Sequence, residues 1–459
     1  MVVPTLPIDV LLVVLRYLHV PEILQLRQTC KDFRAITQTR SLWFSLLQNE
    51  IVRKRIPIPG LKRRGLEDLP AEELERLFFN SLRLHRNWTS RAPVALHSSA
   101  FTVTDDPRAQ VVSLTFLPGM GGRWLISLAL TPKPQGRLFS LQCWSLSEHP
   151  NCVAQRTFTD LRGLRINTDP GHPGMLAVGS SLGIEILSVD FAAEDPELGF
   201  ALVQVLDQVT ESPFAFTGST LLTRFGDNQL HLRTLENPYF VVELSNPAYV
   251  QQSECLDALL CDGYALVTRT ETLEIYLLSS FRAQESGDRI LEPISSHVWQ
   301  WKLDSASMVF RAGPASHWPR PVDLLVRFSS LFPWPVNALH HYHLDSPRLL
   351  PTAYVAQPTL TRTLASPVRL FARFDMCLGP FGTALWMDSH TEDYFDHAIE
   401  GQRLAGTLIS HHVTEGYSGT CAVFHAQEHD TWVRIGMLEE EGKIALATTS
   451  AEVKVYEYC

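Results

Sequence analysis

The chain has 459 residues, 45% of them hydrophobic and 19% charged, with 29 prolines and 25 glycines and a formal net charge of −10. That composition excludes a disordered or low-complexity protein, and the length allows two to four domains or one small domain beside a large repeat fold. The charge divides unevenly, net basic over the first 92 residues and net acidic beyond them, which argues against nucleic acid as the main ligand because phosphate contacts need a basic surface.

The first element runs from Leu6 to Leu18 and is apolar almost all the way round. Such a helix must be covered on more than one face. A unit of under about fifty residues cannot supply that cover itself, so a partner is expected. Arg16 interrupts the apolar run and no stretch of 18 apolar residues follows, so neither a signal peptide nor a membrane span is expected. Pro7 suits the start of the helix, where its missing N–H costs nothing. Pro21–Cys30 predicts a second helix and Lys31–Ile36 a third. Leu42, Trp43, Leu46 and Leu47 then recur at helical spacing.

This run resembles the F-box. The matching features are Leu6-Pro7, the acidic Asp9, the apolar Val10, Leu11, Val14, Leu15 and Leu18, then Pro21, Ile23-Leu24, Thr29-Cys30, Phe33 and Trp43. Asp9 stands where glutamate is usual and Thr29 where valine is common. The resemblance covers residues 1–51 and implies that Leu6, Pro7, Val10, Leu11, Val14, Leu15, Leu18, Pro21, Ile23, Leu24, Cys30, Phe33 and Trp43 bind a Skp-type adaptor, and through it a cullin.

Residues 52–91 form a connector. Arg53-Lys54-Arg55 and Lys62-Arg63-Arg64 flank Pro57 and Pro59, a basic linker with a nuclear-import signal as the alternative reading. A helix follows from Pro70 to about Trp88, with Glu72 and Glu73 in its first turn and a stripe of Leu74, Leu77, Phe78 and Leu82. Its closing segment, His85-Arg86-Asn87-Trp88, is similar to one between the two parts of fungal F-box proteins that carry a propeller.

Residues 92–459 change texture to short alternating strands in a repeated hairpin. Its second strands centre near residues 142, 186, 232, 276 and 455. The spacing matches a four-stranded propeller blade, and weak copies at Val322–Leu344 and Val368–Tyr394 fill the long gap with three blades. The expected fold is therefore mainly β with N-terminal helices, ending in a seven-bladed β-propeller, with eight blades as the alternative. The Trp-Asp dipeptide of WD repeats is absent, since Ser145 follows Trp144, so the propeller is a degenerate one of that type.

No motif points to catalysis. Gly179-Ser180-Ser181-Leu182-Gly183 has the spacing of a nucleophile elbow, but a strand follows it where an elbow needs a helix, so a hairpin turn is expected. His340-His341-x-His343 and His411-His412 lack a Cys or carboxylate at zinc spacing. Asp388-Ser389-His390 and Glu392-Asp393 read as a polar loop, and Gly119-x-Gly121-Gly122 as a blade turn. Arg224 and Arg269 occupy matching places in adjacent repeats and read as surface arginines. Eight cysteines without a C-x-x-C pair predict reduced thiols, hence cytoplasm or nucleus. The resemblance and the propeller together imply a substrate-recognition adaptor of a cullin-RING ubiquitin ligase. It would do no bond chemistry, need no cofactor or metal, and hold a protein substrate on the propeller. The alternative is an interaction scaffold outside the ligase.

Overall fold

The computed structural model describes residues 7–61, 63–249, 252–261, 263–278, 290–313, 320–329, 338–345, 357–365, 375–390, 401–409, 421–427, 429 and 431–459. Four short helices open the chain: α1 (Ile8–Leu15), α2 (Val20–Arg27), α3 (Lys31–Thr37) and α4 (Arg40–Leu46), the last running into a π-helical turn at Leu47–Val52. Pro7 caps α1, and Pro21 lies in the first turn of α2. At the N-terminus of α2 the Glu22 carboxylate accepts the His19 backbone N–H at 2.8 Å, occupying one of the donors that a helix start leaves open.

The helices share one apolar core around Ile23, Leu42, Trp43 and Leu47, and it does not stop at residue 51. It continues through Ile56, Leu66 and Leu69 into Leu74, Leu77 and Phe78 of the next helix, α5 (Ala71–Trp88). Trp43 packs edge-on against Phe78 with ring centroids 5.6 Å apart, and its indole N–H donates to the Thr37 carbonyl at 3.0 Å. Arg27 holds α2 to α5 by a bidentate pair with Glu75, at 2.7 and 3.1 Å, and also donates to the Thr37 carbonyl. The planar guanidinium matches both carboxylate oxygens at once.

Seven four-stranded antiparallel blades follow, blade 3 having a fifth strand in addition. Blade 1 spans Gln110–Phe116, Trp124–Lys133, Gly136–Ser145 and Asn151–Phe158. Blade 2 spans Gly163–Ile166, Leu176–Gly179, Gly183–Val189 and Phe200–Asp207. Blade 3 has Ser212–Thr217, Thr220–Phe225, Gln229–Thr234 and Val242–Leu244, with Ile290–Leu291 added in parallel outside. Blade 4 has Cys255–Cys261, Tyr264–Arg269, Thr272–Leu277 and Ser295–Val298. Blades 5 and 6 begin at Leu303–Phe310 and Met376–Leu378 and end at Thr359–Ala365 and Ala422–Gln427. Blade 7 joins Trp432–Leu438, Lys443–Thr448 and Glu452–Glu457 to a strand from far up the chain, His97–Thr102. The hairpins expected from sequence are the second and third strands of their blades, except the weak copy at Val368–Tyr394, whose described part holds the first and second strands of blade 6, and the long gap holds three blades rather than four.

The first strands lie innermost, and those of blades 1, 3, 4, 5 and 7 are irregular near their start, with register shifts at Val111/Ser113, Pro213/Ala215, Cys255/Asp257, Leu303/Ser305 and Trp432/Arg434. A bulge turns a carbonyl out of the ladder, and arginines of the preceding blade take two of them. Arg165 Nε donates to the Phe214 carbonyl at 2.6 Å, and Arg434 Nε to the Val112 carbonyl at 2.8 Å. The second of these seals the seam where the ring closes.

Helix α5 is shared between the two parts of the molecule. Its first half sits in the helical core, while Leu84 and Trp88 pack into the core of blades 6 and 7. The Trp88 ring meets Phe424 and Tyr458 at 5.8 and 5.9 Å, both edge-on. Asn87 donates to the Val94 and Tyr458 carbonyls at 2.7 and 3.2 Å. Gly442 (φ 63°) lets the blade approach, since a Cβ there would lie 2.5 Å from Leu84 Cδ1. Trp88→Ala should lower stability by about 3–5 kcal/mol, read as a reduced midpoint in chemical denaturation.

Candidate functional site

The apolar character of α1 resolves into two faces. Leu15 is buried, and Leu11, Leu12 and Leu18 pack against the helical core. On the other side Val10, Val13, Val14 and Tyr17, at i, i+3, i+4 and i+7, are 41%, 50%, 47% and 85% exposed, with Ile8 beside them at 61%. Residues at those spacings share one stripe of a helix. An exposed contiguous apolar stripe of this kind marks an interaction surface.

The residues expected to contact an adaptor divide accordingly. Pro7, Val10, Val14, Pro21 and Cys30 are exposed, whereas Leu11, Leu18, Leu24 and Phe33 are half-buried. Leu15, Ile23 and Trp43 are 2%, 0% and 0% exposed, because the module's own core holds them. Leu6 lies outside the described residues. Ile8, Val13 and Tyr17, which the sequence pattern did not single out, are exposed beside Val10 and Val14. Their signal was present in the 3.6-residue period, but in a helix apolar all round that period does not say which stripe faces out.

The basic connector lies against the propeller and covers one of its faces. Gly60 N–H donates to Glu441 Oε2 at 3.0 Å, and Arg63 donates to the Pro170 carbonyl. Gly119 (φ 70°) leaves room for this, since a Cβ there would come within 2.7 Å of both Arg63 Nε and Pro170 Cβ. Arg55, in a left-handed conformation (φ 55°), has its pKa lowered by burial and by the neighbouring charge of Arg311, against the pull of Asp323. Pro170, Arg311 and Glu441 all lie between the first and second strands of their blades. The helical module therefore docks on that face, and the turns between second and third strands point the other way.

Ser180–Leu182 is such a turn, as expected. Ser180 N–H closes it on the Gly183 carbonyl at 2.8 Å, and Ser181 N–H donates to Asp160 Oδ2 at 2.9 Å. The arginine expectation is corrected. Arg269 is buried, its Nε 2.8 Å from Glu274 Oε2; Glu274 also accepts from Tyr276, Thr272 and Asn246 at 2.7–3.1 Å. Arg224 is half-buried, with its guanidinium 5.2 Å from the Phe214 ring centroid.

His341 and His343 do share a face, but a carboxylate lies across the strand from them. Asp323 Oδ1 is 3.0 Å from His343 Nδ1 and 3.4 Å from His341 Nε2, and its Oδ2 accepts from Arg311 Nε at 2.8 Å. The guanidinium fills the position a cation would take, so the cluster is a structural ion network. Among the described residues no group of three or more His, Cys, Asp and Glu side chains is arranged to hold a metal. Asp388-Ser389-His390 belongs to the strand Thr383–His390 rather than to a loop. His411-His412 and Glu392-Asp393 lie outside the described residues. None of the eight cysteines forms a disulfide, and burial pushes the Cys143 thiol up to about 12. No described helix is long and apolar enough to cross a membrane.

The fold and site define an interaction protein: a small helical module with an exposed apolar stripe, carried on a seven-blade propeller. Residues 3–49 match the F-box-like family, so the chain carries an F-box-like domain ahead of the propeller. Comparison with curated proteins gives no match.

Burial pushes the Asp323 carboxyl up, but His341, His343 and Arg311 together hold it well below its ordinary 3.8. A depressed carboxylate stabilises the fold fully above its unfolded pKa, and that contribution is lost as the pH falls below it. Asp323→Asn should therefore cost about 3–5 kcal/mol near neutral pH, and the gap to wild type in denaturation midpoint should begin to narrow only below about pH 4. A gap independent of pH would remove the carboxylate from this role. In the helical module, Leu15→Asp should abolish its cooperative unfolding, whereas Val14→Asp should shift stability by only about 0.5 kcal/mol, measured by circular dichroism.

Proposed function

We propose that the protein is the substrate-recognition subunit of an F-box-type cullin-RING ubiquitin ligase, acting in the cytoplasm or nucleus. The F-box-like domain binds a Skp-type adaptor and, through it, a cullin, while the propeller holds a protein substrate. The observation that carries this reading is the stripe Val10, Val13, Val14 and Tyr17, left uncovered although the opposite side of the same helix is buried. Pro7, Pro21, Leu24, Cys30 and Phe33 extend the adaptor surface beyond α1, with Leu11 and Leu18 at its margin.

Helix α5 gives this arrangement its mechanical sense. One 18-residue helix is packed into both the helical core and the propeller core, so a substrate on the propeller stays at a fixed offset from the adaptor. Fixing that distance raises the effective concentration of substrate lysines at a ubiquitin-loaded enzyme. The protein need perform no bond chemistry for this.

Val10→Asp with Val14→Asp should abolish co-purification of a Skp-type adaptor while leaving the chain folded, with its cooperative thermal unfolding retained. Retained adaptor binding in that folded variant refutes the proposal. Adaptor binding without cullin co-purification would instead assign the protein to a scaffold outside the ligase.

A further inference from the structure

The outermost strand of each blade has one unpaired edge, and proteins generally blunt such edges with charge, proline or a covering segment. Several edges here are covered. The segment leading to Gly199 packs on the outer strand of blade 1, and a Cβ on Gly199 would lie 2.3 Å from the Val153 carbonyl. Ile290–Leu291 pairs with the outer strand of blade 3, and Val423 N–H in the outer strand of blade 6 donates to the Arg91 carbonyl at 3.2 Å.

Blade 2 differs. Its outer strand, Phe200–Asp207, has no further strand beside it among the described residues and carries a bulge at Val203, which the register shift between Ile186 and Leu187 leaves unpaired; what sets it apart is its apolar exposure. Leu202, Val203 and Val205 are 54%, 42% and 38% exposed, with Leu198 exposed just before them. No other described outer strand shows such a run. From Asp190 to Asp207 the chain contains no Lys or Arg but carries Asp190, Glu194, Asp195, Glu197 and Asp207. The acidic loop is held in place: Phe191 stacks on Trp124 at 4.4 Å, and Asp190 N–H donates to the Gly199 carbonyl at 2.8 Å.

We infer that the outer edge of blade 2 is a docking surface for an extended aliphatic strand of a partner protein flanked by Lys or Arg. Outward backbone N–H and C=O groups on either side of the Val203 bulge would supply the ladder, Leu202, Val203 and Val205 the apolar contact, and the carboxylates the attraction for the basic flank. The pairing of Ile290–Leu291 on blade 3 shows that an outer edge of this propeller accepts a short aliphatic strand. This surface lies on the side wall of the propeller and does not depend on the adaptor reading.

The test uses the full chain and a fluorescent peptide, Lys-Lys-Val-Thr-Val-Ile-Val-Lys-Lys, read by anisotropy. The wild type should bind it, with affinity falling several-fold between about 50 and 200 mM salt. Leu202→Lys with Val203→Lys should weaken binding about tenfold or more, with circular dichroism unchanged. Glu194→Gln with Glu197→Gln should weaken binding and flatten its salt dependence. Equal binding of the same core with glutamate flanks, no binding by the wild type, or undiminished binding by the lysine variant would each overturn the inference. So would light scattering that shows a dimer broken by Val203→Lys, which would make a second copy the occupant.

Discussion

The pairing of His97–Thr102 with Glu452–Glu457 holds the molecule together. Six residue pairs, from His97↔Glu457 to Thr102↔Glu452, join positions about 355 residues apart in sequence. The entropy of closing so long a loop grows only slowly with length, so a single strand pairing can hold the ring shut once the blades are packed. Closure leaves no blade seam open. The same contact fixes the helical module, because α5 ends nine residues before the closing strand and Asn87 and Trp88 grip the C-terminal strand at Tyr458.

Inside the blades, buried charge replaces the regular signature that the sequence lacks. Glu274 with Arg269, Asp323 with Arg311 and two histidines, and Glu211 with Arg233 and His231 each place a carboxylate among several donors. Glu211 is pushed up by burial, yet His231, Arg233 and Thr223 bring it down to about 2. Such networks add little net stability over apolar packing, but losing one partner strands a buried charge. In blade 1 the same place is taken by a neutral pair, Trp144 Nε1 donating to Ser127 Oγ at 3.0 Å.

Docking of the connector on one propeller face divides the surface by role. The face carrying Pro170, Arg311 and Glu441 is approached by the protein's own Arg55, Gly60 and Arg63. The opposite face carries the turns between second and third strands, such as Ser180–Leu182. Helix α5, packed into both cores, fixes the helical module to the propeller.

The period of apolar residues determined the hairpins of the second and third strands, the helical opening and α5, because each is a local pattern whose apolar side is buried wherever the chain goes. It failed for most first strands, where a bulge breaks the two-residue alternation, and for the closing strand, whose partner lies at the far end of the chain. It marked α1 as needing cover. Only packing decided that Leu15 turns inward and Val14 outward, since a helix apolar on all sides carries no preference of its own. Only packing, likewise, turned Arg269 from a surface group into a buried ion pair: strand pairing, and not the spacing of residues, brings Glu274 to it.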